Sequence, residues 1–155
     1  MQLYFKFKNI KPVSTNEANA TIWKTKRRVK TEKYHQFQQR VDFILMPLKK
    51  KIWAFEEKFD IYEQHISFSG KFYIPKSKMF TKKGYISQRS GDWDNYIKIA
   101  QDCIFKHFNK LDDCYIKHVG NIEYLISPNN EYHFSLKYKA RENEFLTPRV
   151  QEFEV

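Results

Sequence analysis

The sequence predicts an α+β fold: a single mixed β-sheet with two main helices packed on it, in the order β-α-β-β-α-β-β. Short segments alternate apolar and polar residues, as half-buried strands do. Two longer segments repeat apolar residues every three or four positions, as a helix with one buried face does. The chain has 155 residues with 41% hydrophobic and 17% aromatic content, which suits one core, so a single domain over 1–155 is expected.

The elements follow in order. Leu3 to Lys8 alternates and reads as a strand. Lys11 to Ala20, with Pro12, Ser14, Asn16 and Asn19, reads as a loop. Thr31 is placed to cap a helix that runs to about Pro47, whose apolar face is Tyr34, Phe37, Val41, Ile44, Leu45 and Leu48. Pro47 ends or kinks it. Phe59 to Phe68 and Lys71 to Ile74 read as two strands of a hairpin turning at Ser69-Gly70. Pro75 to Gly91 is polar and basic without periodicity, and a loop of that length in a compact domain is usually functional. A second helix is expected from about Asp92 to Phe108, with Trp93, Ile97, Ala100, Ile104 and Phe108 along its apolar stripe and Asn109 ending it. Asp112-Asp113 falls in the following turn. Tyr115 to Ile126 and Tyr132 to Tyr138 read as a strand pair joined through Ser127-Pro128-Asn129-Asn130, and the tail 141–155 carries mixed charge without a pattern.

Charge narrows the function classes. There are 28 Lys and Arg against 18 Asp and Glu, a net charge of +10, which draws polyanions. No apolar run approaches the roughly 20 residues that a spanning helix needs, so no membrane role is expected. The N-terminus alternates like a strand and lacks the apolar stretch of a signal peptide. Cys103 and Cys114 make no disulfide framework, and no Cys and His pattern suggests zinc, so a reducing cytoplasm is the expected location. His35, His65, His107, His118 and His133 have no partner at ligand spacing and read as structural.

Against that basic background stand the acidic clusters Asp92-Trp93-Asp94 and Asp112-Asp113, with Lys98 close by. Asp92 and Asp94 share a direction only where the chain is extended or just entering the helix, which Ser90-Gly91 permits. Asp94 and Lys98 are four apart and share a helix face, and Asp102 continues it. If Asp92, Asp94 and Asp113 converge, their hard oxygens suit magnesium or manganese, and Lys98 adds a fixed positive charge where negative charge develops. The plainer reading stands beside this: Asp92 as a helix cap, Asp94 and Asn95 as complements to the helix dipole, Lys98 in a surface ion pair, Asp112-Asp113 as a solvated turn.

The segment Asp92-x-Asp94-Asn95-x-x-Lys98-x-x-x-Asp102, followed by Leu111-Asp112-Asp113, resembles the signature of RusA-type Holliday junction resolvases. Pro12-Val13-Ser14-Thr15-Asn16 resembles that family's N-terminal Pro-x-Ser-x-Asn stretch. The resemblance implies a magnesium-dependent homodimer that cuts four-way DNA junctions with paired nicks in recombination and repair, in a family with many phage and prophage members. It implies Asp92, Asp94 and Asp113 as metal ligands, Lys98 as the accessory catalytic lysine, and supporting roles for Asp112, Asp102 and Asn95. Manganese is expected to substitute for magnesium, and no nucleotide cofactor is implied. The chain departs from the pattern at Trp93, where the family usually has a smaller aliphatic residue, and before the first aspartate, where only Arg89 is close.

Lys76, Lys78, Lys82, Lys83 and Arg89 lead into Asp92 and are the first candidates for DNA contact. Lys24, Lys26, Arg27 and Arg28 form a second basic stretch, which reads either as phosphate-binding or as a solvated helix entry. Phe80 and Tyr85 either stack on bases or anchor the loop, and Trp23 and Trp53 read as core or dimer contacts. Two rivals remain open at this stage: a non-catalytic nucleic-acid-binding dimer on the same fold, and a phage protein that docks a protein partner.

Overall fold

The structure, a computed structural model, describes residues 1–90 and 94–148. Four strands form the main sheet in the order β1-β6-β4-β5. β1 (Gln2–Phe7) alternates as its sequence requires, burying Leu3, Phe5 and Phe7. It pairs antiparallel with β6 (His133–Glu142), which pairs antiparallel with β4 (Gln64–Ile74) on its other side. β5 (Ile116–Ile126) lies parallel to β4 at the edge. Parallel neighbours need a crossover, and here it carries α4 (Lys76–Met79) and α5 (Asn95–Phe105).

Two pairings differ from the sequence expectation. Residues 59–74 do not form a hairpin: β4 is one strand of 11 residues running through Gly70. Gly70 marks a close approach, not a turn. A Cβ there would lie 2.8 Å from Leu136 Cδ2 and 3.3 Å from the Ser135 carbonyl oxygen. The two C-terminal strands also fail to pair with each other, because β4 inserts between them. The predicted α+β class with one mixed sheet stands.

A row of rings pins the register. Phe7, Phe134, Phe72 and Tyr124 are cross-strand partners on the four successive strands. Their neighbouring centroids are 4.4, 5.6 and 5.3 Å apart, each pair stacked. Tyr96 on α5 joins the row, 6.3 Å from Phe72, which seats the first turn of that helix on the sheet.

The N-terminal half holds more structure than its composition suggests. Ser14 caps the short α1 (Thr15–Ala18) by accepting from the Glu17 amide at 3.2 Å. An antiparallel ribbon of β2 (Asn19–Ile22) and β3 (Arg27–Lys30) follows, within residues that read as loop and basic stretch. Elements of four residues are too short to display a period. Thr31 caps α2 (Glu32–Leu45) as expected, accepting from the Tyr34 amide at 3.3 Å. Tyr34, Phe37, Val41 and Leu45 form its buried face. Pro47 kinks the chain instead of stopping it. It sits in a 3-10 turn over Met46–Leu48, at the start of a helical turn where no N–H is missed. α3 (Lys49–Lys58) continues beyond it and buries Ile52, Phe55 and Glu56. The four strands of the main sheet and the three longer helices share one contiguous core. Tyr4, Lys71, Lys137 and Lys139 line a depression on the opposite, polar face of the sheet.

Glu56 is only 6% exposed, and its carboxylate accepts four backbone hydrogen bonds. Asn109 N–H donates to both oxygens at 2.9 and 3.1 Å, Lys110 N–H donates at 2.6 Å, and Leu111 N–H donates at 3.0 Å. A buried carboxylate is tolerated when its oxygens are filled by donors in this way. The tie also fixes the chain immediately before Asp112-Asp113.

Replacing Glu56 by Ala leaves three amides without their acceptor, that of Leu111 buried and those of Asn109 and Lys110 part-buried. It should lower the unfolding free energy by about 3 kcal/mol or more, read from the urea midpoint. Gly70→Ala should cost about 1–3 kcal/mol by overpacking against Leu136, measured the same way.

Candidate active site and nucleic-acid groove

The acidic residues sit where α5 begins and where the chain after it turns back. Asp94 occupies the cap position of α5, is exposed, and makes no side-chain capping bond. Only its backbone carbonyl takes part, accepting from the Ile97 and Lys98 amides at 3.2 and 3.4 Å. Its carboxylate is therefore not used in starting the helix. Lys98 follows one turn later, also exposed. Asp92 lies outside the described residues.

Asp112 and Asp113 divide their work. Asp112 caps a 3-10 turn over Asp113–Tyr115, its Oδ1 accepting from the Cys114 amide at 2.9 Å. The hydrogen bonds from Cys114 hold its carboxyl below the usual carboxylate value. Asp113, next in the turn, is exposed. The turn packs against α5, and the charge of Asp113 is felt at Asp102. Burial raises the Asp102 pKa, the charges of Lys30 and Lys98 oppose that rise, and Asp113 adds to it. Asp113, Asp102, Lys98 and Lys30 thus share one local field. On the other side, burial raises the Tyr124 pKa, and the charges of Tyr96 and Asp94 add to that rise.

Among the described residues, no three His, Cys, Asp or Glu side chains form a group that could hold a metal ion. The structure packs the turn that carries Asp113 on α5, and a full three-carboxylate set is not formed by the described residues alone. Among those residues, Asp94, Asp102 and Asp113 take part in no ion pair.

The N-terminal Pro12–Asn16 stretch meets this helix from 80 positions away. Thr15 Oγ1 donates to Asn95 Oδ1 at 3.1 Å, and α1 packs on α5. Beside them opens a cleft of about 1390 Å³, lined in part by Lys11, Lys76, Lys78, Lys82, Arg89 and Asn95. The residues expected to form a loop hold short elements as far as Ser90, among them α4 and a 3-10 turn over Gln88–Ser90. The Thr81 amide donates to the Tyr85 carbonyl at 2.7 Å, the Gly84 amide donates to the Thr81 carbonyl at 3.0 Å, and Phe80 bridges to Ile86. Gly84 takes a left-handed φ of +84°, which a turn at that point reserves for glycine. Lys83 is exposed on the same turn, outside the cleft lining. Phe80 lines the cleft, whereas Tyr85 is 70% exposed.

Glu17, Lys11 and Tyr132 also line the cleft, though the sequence drew no attention to them. Partial burial would raise the Glu17 pKa, but the Ser14 hydroxyl and the charges of Lys11 and Lys33 outweigh it and hold the carboxyl low. Its place directly after the Pro12–Asn16 stretch was the available signal. Lys24, Lys26, Arg27 and Arg28 are exposed on the β2–β3 ribbon and its turn, outside the cleft lining. Trp23 is not a core residue: it is 87% exposed at that turn. Trp53 is half-exposed under the Lys49 ammonium, 4.6 Å from its ring. Four histidines are held in side-chain pairs: His65 with Asn143 at 3.2 Å, His107 with Asp42 and His118 with Ser67 each at 2.7 Å, and His133 with Asn129 at 2.6 Å.

No curated protein matches the chain. The family described as Endodeoxyribonuclease RusA matches residues 9–127, well over half of the sequence. That region takes in the Pro12–Asn16 stretch, the basic turn beside the cleft and both acidic clusters. The chain belongs to the RusA endodeoxyribonuclease family, a family of nucleases.

Proposed function

We propose that the protein is a magnesium-dependent endonuclease that resolves four-way DNA junctions by paired, symmetric nicks, acting as a homodimer with one metal site per subunit. The observation that carries this reading is the packing of the turn that presents Asp113 against α5, whose first residue lines a basic cleft. It lies within a match to a nuclease family.

The donor set fits the metal in chemistry. Asp92, Asp94 and Asp113 offer hard carboxylate oxygens, and Asp94 and Asp113 are exposed without an ion-pair partner among the described residues. Magnesium, or manganese in its place, polarises a phosphate and lowers the pKa of a bound water. Lys98 sits one turn from Asp94 and supplies positive charge where a phosphate oxygen becomes more negative. Lys76, Lys78, Lys82, Lys83 and Arg89 hold the backbone of the arm entering the cleft and position it without reading its sequence. Asn95, fixed by Thr15, keeps the start of α5 against α1. Asp112 shapes the turn that presents Asp113, and Asp102 lies behind Lys98 on the same face. Two sites related by a dyad place two nicks symmetrically across a junction.

A synthetic four-way junction should be cut in magnesium and not in chelator, and faster than a linear duplex of equal length. Asp94→Asn and Lys98→Ala should each lower cleavage by about 100-fold or more. Junction affinity should stay within about threefold in both, because the phosphate contacts remain. Parental cleavage rates in either variant refute the role given to that residue. Replacing Lys76, Lys78 and Lys82 together by Ala should weaken binding to all DNA alike. It should also lower the slope of log affinity against log salt by about one per lysine in a salt titration.

A further inference from the structure

The β2–β3 ribbon presents a large aromatic side chain to solvent on a firm support. Trp23 is 87% exposed and its neighbour Ile22 is 44% exposed. The turn beneath them is built: the Thr25 amide donates to the Ile22 carbonyl at 3.2 Å, and Lys26 adopts a left-handed φ of 54°. The base of the ribbon is tied down as well. The Thr31 amide donates to the Ala18 carbonyl at 3.0 Å, and Lys30 Nζ donates to Asn19 Oδ1 at 3.2 Å. An indole held this way is displayed, not left over from an unfilled core.

Its surroundings say what it faces. Every charged residue from 19 to 31 is basic: Lys24, Lys26, Arg27, Arg28 and Lys30, all exposed. A chain with a net charge of +10 repels a second copy approaching through so basic a patch. Cations around a ring face match phosphates around a base. Linear duplex keeps its bases stacked on one another, whereas an opened branch point exposes base faces that a ring can cover.

We infer that Trp23 is a base-stacking residue that recognises branched DNA, with the ribbon's cations holding the phosphates on either side of the base it covers. This rests on the nuclease reading above. It assigns to the ribbon a contact separate from the cleft, and it makes the preference for branches depend on one ring.

The test uses the full chain in chelator, so that DNA is bound and not cut. Wild type, Trp23→Ala and Trp23→Phe are titrated with a four-way junction carrying 2-aminopurine at the branch point, and with a linear duplex of the same length. Trp23→Ala should lose about tenfold in junction affinity and less than about twofold on the duplex, with Trp23→Phe recovering most of the loss. The 2-aminopurine signal should change on binding wild type and not on binding Trp23→Ala. Equal losses on both DNAs, an unchanged affinity, or an unchanged fluorescence response overturns the assignment. So does sedimentation showing a wild-type dimer that Trp23→Ala dissociates, since the indole would then be a subunit contact. A wild type that binds the junction no better than the duplex overturns the junction reading along with it. Junction preference retained by Trp23→Ala overturns the stacking role alone.

Discussion

A buried carboxylate on α3 governs where the acidic turn lies. Glu56 collects the amides of three successive residues, 109 to 111, which are the residues between the end of the α5 segment and Asp112-Asp113. An isolated carboxylate in a core would be costly, and unpaired amides in the partly buried turn after α5 would be costly too. Each solves the other's problem. The result is directional: the chain can leave α5 only along the path that offers those amides to Glu56. That path delivers Asp113 back against α5, where its charge reaches Asp102. The aromatic row performs the matching task at the other end of the helix. Phe72 seats Tyr96, and the Thr15–Asn95 hydrogen bond holds the same turn from the opposite side. Both ends of α5 are thus anchored to parts of the chain distant in sequence.

The charge distribution follows from that framework. The protein is strongly basic as a whole, yet Asp94, Lys98, Asp102 and Asp113 are gathered beside one helix. Acidic groups alone would repel a phosphodiester. With Lys11, Lys76, Lys78, Lys82 and Arg89 along the neighbouring cleft, the long-range field favours a polyanion there, while the carboxylates of Asp94 and Asp113 take part in no ion pair among the described residues. The basic side chains near α4 stand on a turn closed by backbone hydrogen bonds, so their spacing is set before any ligand arrives.

Much of this was legible in the residues, and the rest was hidden for identifiable reasons. β1, α2 with its Thr31 cap, and the stripe of α5 were visible because each exposes a clear period or cap. α3 was missed because Lys49, Lys50, Lys51, Glu57 and Lys58 crowd a short helix with charge, and because Pro47 looked like an end. Gly70 read as a turn because a close approach between strands and a reversal of the chain favour the same residue. Strand pairing was illegible since alternation shows that a strand has one buried face and never which strand lies beside it. In the site, Asp94, Lys98 and Asp113 stood out by spacing and by resemblance. Glu56 did not, for its partners are backbone amides that leave no mark on the sequence.

The central claim is that Asp94 and Asp113 serve one cation, and the most direct measurement is binding of manganese without DNA. Electron paramagnetic resonance of free Mn²⁺ during titration should show specific uptake by the wild type, and loss of most of it in both Asp94→Asn and Asp113→Asn. Uptake equal to the wild type in either variant, with the fold intact by circular dichroism, would contradict the account.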